Sequence, residues 1–481
     1  MANFANTLSN VFKKYKLLAN RVSAESGVDR SLLSKVMNGT RPLSFYAFKK
    51  LLDTINISDT DADLLISTYT EETFGIEKYH KYLKLLKKFS RTEIYKNEES
   101  GYNISVSFTF EDGIMNINTI GEIVTIARHL VYIETERDGG RIYSNIPTAI
   151  MVDLMRSFPE KQLDFKYIID SYNHNQESLM TFSDIFDLMS LGYISNYFTS
   201  SSNEVSLSII YPFYIISTDY ILLFDRYSGK GILCNNQAII EQYTEIFLEK
   251  FAETTPYINK YNDILMLKEK NTSIYKNGVE KITWLHEFGC YATMFLTLDM
   301  WDQIARPDVP NRDYLRDTTY QYYKWIFTSQ ISNTCNISGR NSLKEFVDHG
   351  IIKSMPREFA FPLSKENRVK VLESVYDLYA SDDSLNFYFF DDAKLNFCHN
   401  FGIELYDNVS RPSSMSFCYS VEDCALHYCG NFSMQIDDSK TIHEFAEFIN
   451  CFITSKHCYS KRKSLEFLKE EILRCKMLPE N

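Results

Sequence analysis

The sequence predicts an α + α/β protein: an all-helical N-terminal domain followed by a large mixed α/β region that carries an internal repeat. Three observations point there. Apolar residues in the first 75 positions recur at helical spacing, and beyond residue 100 short alternating runs are interleaved with helical ones. The chain has 481 residues, which at about 150 residues per domain gives roughly three folding units. The expected organisation is 1–75 for the helical domain, 76–100 for a helical linker, and 101–255 and 256–481 for the two α/β halves.

Composition narrows the class. Apolar residues at 44% and charged residues at 24% are ordinary for a globular protein, while 17 glycines and 11 prolines are few, so extensive disorder is not expected. The longest apolar stretch, Ile209 to Ile216, is broken by Pro212 and falls far short of the ~20 residues a membrane span needs. Lys13, Lys14 and Lys16 are followed by no apolar segment of the kind a signal peptide carries. The expectation is a cytoplasmic protein with no membrane partner, whose ten cysteines are reduced thiols rather than a disulfide framework.

Charge is unevenly placed. The net charge is −12, yet residues 1–56 hold nine bases and three acids, a local +6 that leaves −18 for the remainder. A basic head on an acidic body suits a nucleic-acid-reading module joined to one that does not bind nucleic acid, because phosphate neutralisation is local to the contacting surface.

Within the head, Phe4, Leu8, Val11, Phe12, Tyr15 and Leu18 mark one helix. Val22, Ser23 and Ala24 begin a second, short one, and Gly27 supplies the positive φ that a tight turn after it demands. Val28 plugs the angle between two helices, Asp29 caps the next, and Leu33 and Val36 form its buried side before Asn38-Gly39 stops it. Phe45, Phe48, Leu51, Leu52 and Ile55 continue the pattern into a closing helix.

Over roughly residues 4–70 this arrangement resembles the Cro/cI-type (XRE-like) helix-turn-helix. Ser23, Gly27, Val28, Asp29, Leu33-Ser34 and Asn38-Gly39 match its pattern, and Ala19 departs from the glutamine often found at the start of the first motif helix. The resemblance implies that the helix starting after Asp29 enters the major groove of double-stranded DNA. Arg30, Ser31, Ser34 and Lys35 would then face base edges, while Asn38, Thr40 and Arg41 hold phosphate.

Residues 76–100 read as an amphipathic connector, with Tyr79, Tyr82, Leu83, Leu85 and Leu86 among five lysines, fading into a polar run from Lys96 to Ser100. Beyond it, strands are expected at Ile104 to Phe110, Ile114 to Ile117, Arg141 to Asn145, Asp164 to Ile169 and within Val205 to Phe224, with helices at Glu122 to Val131 and Asn235 to Phe251.

The stretch from Tyr214 to Phe224, then Gly231 to Leu233 and a helix reaching Phe247 and Phe251, has an echo. There Phe417 to Val421, Cys424 to Tyr428 and Phe432 to Ile436 precede a helix with Phe445, Phe448 and Phe452. Two facing halves of this kind would enclose a cleft.

Over residues 105–250 the first copy resembles the catalytically degenerate phospholipase D-like sensor domains. Where active members carry His, Lys and Asp, this chain has Pro212, Tyr214 and Asp219. The resemblance implies an effector-binding wall at Tyr211, Tyr214 and Asp219 without phosphodiester cleavage, since nucleophile and charge clamp are gone.

Other constellations carry less. Cys418, Cys424, His427 and Cys429 invite a metal or a redox role, but their spacing fits no paired-cysteine zinc frame, so no metal and no cofactor are expected. Ser228-Gly229-Lys230-Gly231 lacks the leading glycine of a phosphate loop and reads as a hairpin turn, and His286-Glu287 lacks the second histidine of a zinc protease helix, Cys290 standing there. The acidic pairs Asp382-Asp383, Asp391-Asp392 and Asp437-Asp438 suit turns and caps.

The expected function is therefore a sequence-specific transcriptional regulator, not an enzyme. It binds double-stranded DNA as a homodimer and senses a small-molecule or peptide effector through its C-terminal region. Two alternatives are a peptide-responsive quorum-sensing regulator built on a helical solenoid and an enzyme with a DNA-targeting head.

Overall fold

The structure, a computed structural model, describes residues 2–89, 106–158, 163–169, 183–188, 197–199, 210–261, 281–286, 288–309, 311–352, 360–382, 384–395, 401–408, 413–419 and 433–479. The chain divides into two compact units. One comprises Met1–Arg91, Tyr261–Cys424 and Ile442–Asn481, the other Thr92–Lys260 and Ala425–Thr441.

The first unit begins with six helices: α1 (Ala2–Lys14), α2 (Ala19–Ser26), α3 (Arg30–Met37), α4 (Phe45–Thr54), α5 (Asp59–Thr73) and α6 (Ile76–Phe89). Phe4, Leu8, Val11 and Phe12 of α1 meet Val22, Leu33, Val36, Phe48, Leu51, Leu65 and Tyr69 in one apolar core. At its centre Phe48 stacks on Tyr69 at 3.9 Å, with Phe4 edge-on to both. Helix ends are satisfied locally: Glu72 accepts the amide of Phe4, and Ser44 and Ser58 cap α4 and α5. The apolar side of α6 is buried through Tyr79, Tyr82, Leu83, Leu85 and Leu86.

The second unit is a mixed sheet with helices. Its strands are β1 (Ile114–Ile117), β2 (Arg141–Ser144), β3 (Asp164–Ile169), β4 (Tyr197–Thr199), β5 (Phe213–Ile216), β6 (Ile221–Asp225), β7 (Lys230–Cys234) and β8 (Thr255–Pro256), in the order β1-β7-β6-β5-β2-β3-β4-β8. Its helices include α7 (Ile120–Thr135), α8 (Thr148–Met155), α9 (183–188) and α10 (Gln237–Ala252). Phe247 of α10 stacks on Tyr143 of β2 at 5.0 Å and meets Tyr214 of β5 edge-on.

The strand expected over Ile104 to Phe110 is not formed in its described part. Residues 106–110 make no ladder, and after them only Glu111 bridges Ile114, across a turn with Asp112 and Gly113 at positive φ. Phe108 and Phe110 alternate because both pack on Tyr220, which mimics strand periodicity without backbone pairing. The predicted hairpin turn spans 226–229, with Lys230 and Gly231 already in β7, Gly229 at φ 67° and the Asp225 carboxylate accepting the amides of Tyr227 and Ser228.

After the strand segment β9 (Asn259–Tyr261), the first unit resumes with β10 (Lys281–His286), β11 (Thr334–Gly339), β12 (Asn386–Phe390), β13 (Phe401–Asp407) and β14 (Ser414–Tyr419). The later helices are α11 (Phe288–Ala292), α12 (Leu298–Ile304), α13 (Arg312–Ser329), α14 (Arg340–His349), α15 (Lys365–Ser381), α16 (Asp392–Leu395), α17 (Ser439–Thr454) and α18 (Lys461–Met477). Trp284, Phe387 and Phe389 of the sheet pack with Phe346, Val371, Leu372 and Phe467 of the helices. Burying each such side chain contributes about 1.5–3 kcal/mol.

The acidic pairs act as caps where described: Asp392 accepts the amide of Asn341 at the start of α14, and Asp438 accepts that of Thr441 in the first turn of α17.

The internal repeat is a repeat of topology. In the second unit β4-β3-β2-β5-β6 pair parallel, parallel, antiparallel and antiparallel. In the first unit β12-β11-β10-β13-β14 pair in the same sequence of senses. The register differs from the sequence echo. The counterparts of β5 and β6 are β13 and β14, so the second copy's antiparallel strands begin at Phe401 rather than Phe417, and the expected strand from Cys424 to Tyr428 lies outside the described residues. The two hairpin connections differ in length, and a pattern anchored on the following helix slips accordingly.

Candidate nucleic-acid interface

Local chemistry builds the α2–turn–α3 corner. Gly27 stands at φ 68° as the left-handed cap of α2, its amide bonded to the Ser23 carbonyl, and Val28 behind it is 4% exposed. Asp29 is the N-cap of α3: its carboxylate accepts the Leu32 amide at 2.9 Å and the Ser31 hydroxyl at 2.6 Å. These donors hold the Asp29 carboxyl below its usual value, the Ser31 bond contributing most. Leu33 and Val36 anchor the inner side of α3 in the bundle core.

All seven predicted contact residues, Arg30, Ser31, Ser34, Lys35, Asn38, Thr40 and Arg41, are exposed. Ser34 is one helical turn from Arg30 and Lys35 one turn from Ser31, so α3 presents them on its outer side. Arg30, Lys35 and Arg41 form no ion pair among the described residues, so their donors are available to an external anion. Two hydroxyls are less free than the sequence suggests. Ser31 donates to Asp29 and Thr40 to the Lys35 carbonyl, so each meets a new partner first as an acceptor. A serine two positions after a capping aspartate is the sequence signal for the first of these.

Other cations of the head are spent internally. Lys14 pairs with Asp61 at 2.6 Å, Arg21 with Glu25 at 2.7 Å and Lys49 with Asp53 at 3.6 Å. Leu18 occupies the N-cap position of α2 and offers no side-chain acceptor, so the first-turn amides of that helix remain open to an outside acceptor such as phosphate.

Of the predicted effector residues, Tyr211 and Tyr214 share one apolar cluster, and Asp219 stands outside it. Tyr214 is fully buried in the core under α10, with its hydroxyl sealed and without a partner, and burial pushes its pKa up. Tyr211 is half-buried against the same cluster. Asp219 lies in the β5–β6 turn, where it pairs with Arg137 just past the end of α7. That turn is held further by the buried Glu134, which accepts the amide and hydroxyl of Thr218. A cavity of about 500 Å³ on this unit is lined by Arg141, Glu241, Thr244, Glu245, Leu248 and Glu249, and includes none of the three.

Cys424, His427 and Cys429 lie outside the described residues, as do the side chains of Cys418, His286 and Cys290. The free cysteines Cys234, Cys335, Cys451, Cys458 and Cys475 are buried, and burial pushes the Cys335 and Cys451 thiols up to about 11 and that of Cys458 to about 12. Among the described residues, no helix is long and apolar enough to cross a membrane.

No protein-family model and no curated protein matches the chain. Among solved structures TrmBL2, described as an archaeal chromatin protein whose structure shows a novel mode of DNA binding, aligns over 52% of this chain and 93% of its own at 10% identity, with a TM-score of 0.21. A likeness at that score transfers neither fold nor activity.

Proposed function

We propose that the chain is a sequence-specific DNA-binding transcriptional regulator whose α3 reads the major groove. One observation carries the reading: the α2–Gly27–Val28–Asp29–α3 corner buries one side of α3 and leaves Arg30, Ser34 and Lys35 on the other, with neither cation in an ion pair among the described residues. Arg30 suits a guanine edge through a bidentate guanidinium bond, and Arg41, just past the helix, suits phosphate. One such module reads only a few base pairs, so the regulator acts as a homodimer on two half-sites about one helical turn apart.

The α/β region senses an effector and performs no turnover. Pro212 and the sealed Tyr214 stand where the resembling phosphodiesterase fold needs a nucleophile and a cation, and Asp219 is neutralised by Arg137. The helical-solenoid alternative is disfavoured by the two mixed sheets.

Selection of genomic fragments by the full chain at two salt concentrations tests the proposal. A shared palindromic sequence is expected, with two protomers per site by sedimentation. Retention of random duplex with no enriched sequence, or one protomer at saturation, would refute specific dimeric binding. Phosphodiester turnover lost in Asp219→Ala would contradict the non-enzymatic assignment.

A further inference from the structure

A second site lies in the unit that carries the DNA-reading helices. A cavity of about 480 Å³ opens between α5, the start of α6 and the loop that follows α17. Its volume suits a small molecule. Asp63 and Leu64 come from α5, Ile76 and Tyr79 from α6, and Ser455 and Lys456 from the loop.

The lining combines a buried aromatic ring, an apolar strip and two opposite charges. Tyr79 is 6% exposed and lines the cavity beside Ser455, with its hydroxyl buried. The Ser455 hydroxyl beside it donates to the Phe452 carbonyl and accepts the His457 amide. Leu64 at 51% and Ile76 at 37% exposure offer an apolar strip. Asp63 and Lys456 bring opposite charges from separate elements, and neither forms an ion pair among the described residues. Asp61, by contrast, is already saturated by Lys14, Tyr15 and Ser58.

From these we infer that the cavity binds a zwitterion with an apolar body, the chemistry of an amino acid or a very short peptide. Asp63 receives the ammonium group, Lys456 the carboxylate, and the apolar side chain lies along Leu64 and Ile76. The loop is fixed to the sheet, since the His457 carbonyl accepts the Asp391 amide and Tyr459 donates to Phe389. α5 supplies Leu65 and Tyr69 to the bundle core that seats α3. Occupancy therefore joins the sheet to the DNA-reading bundle. As an effector site the cavity rests on the regulator reading; as a binding site it does not.

Calorimetry on the full chain without DNA tests it, using leucine, phenylalanine, their di- and tripeptides, and N-acetyl and amide derivatives. Saturable binding of a free zwitterion is expected. It should be weakened roughly tenfold or more by blocking either terminus, or by Asp63→Asn or Lys456→Met, because each change leaves one charge unmatched. A peptide that binds more tightly than the amino acids identifies the source as peptide, and the reverse identifies a free amino acid. Absence of binding across the panel, or equal affinity for the blocked derivatives or for both charge variants, would overturn the site. Asp63→Asn and Lys456→Met should bind cognate DNA normally without ligand, so a failure of DNA binding in the parent chain is read separately.

Discussion

The ammonium of Lys49 on α4 lies 4.7 Å over the ring of Tyr388 on β12, with its side chain only 9% exposed. A cation that counts toward the basic head in the sequence is thus withdrawn from the exposed surface and used to seat the bundle on the sheet. Burial raises the pKa of its partner Asp53, and Lys49 opposes that rise. Lys49→Met should lower stability by about 1–2 kcal/mol and leave DNA affinity per folded molecule unchanged. A double-mutant cycle with Tyr388→Leu should show coupling, and strict additivity would mean the contact contributes nothing.

Arg30→Ala should cost about 1–3 kcal/mol at the cognate site and relax the preference at one base pair, whereas Arg41→Ala should weaken specific and random duplex alike. Competition binding distinguishes them. An equal loss on both duplexes for Arg30→Ala removes it from the base-reading set.

Gly27 offers open space for a Cβ, so the cost of Gly27→Ala is conformational alone. Holding alanine at φ 68° should destabilise the corner by about 1–2 kcal/mol. Chemical denaturation followed at the bundle would check this, and an unchanged midpoint would show that the turn relaxes out of the left-handed region.

Tyr214→Phe deletes a buried hydroxyl that has no partner. Stability should rise by about 1 kcal/mol, and effector binding should not change, because no ligand reaches this ring. A lost response to effector in Tyr214→Phe would restore the tyrosine to the sensing site.

Asp61 is held at about 2, first by the bond from Lys14 and then by those from Tyr15 and Ser58. Its folded value lies below the unfolded one near 3.9, so the α1–α5 tie is fully present above about pH 4 and is lost as pH falls toward 2. Asp61→Asn should flatten the acid limb of the melting-temperature profile over that window. Superimposable profiles for variant and parent would show that the tie carries no linkage.

The α2–α3 corner was legible because its determinants are local. Gly27 sets one dihedral, Asp29 accepts a hydroxyl two positions on and an amide three positions on, and Leu33 and Val36 follow the helical repeat, so nothing distant is needed to place Arg30. The strands at 114–117 and 164–169 and the α10 helix were legible for the same reason. The alternation through Phe108 and Phe110 misled because a sequence records which residues face an apolar surface and not whether a backbone partner exists.

By itself, then, the sequence determined the fold class and the local geometry of α3, which periodicity, caps and turn residues specify within a few positions. Tertiary structure alone decided the rest. It paired β13 and β14 as the repeat of β5 and β6. It sealed Tyr214 under α10, laid Lys49 on Tyr388, and brought Asp63 and Lys456 to one cavity from positions almost four hundred residues apart. Each of these depends on which surfaces exclude water together, and that is a property of the packed chain, not of any window along it.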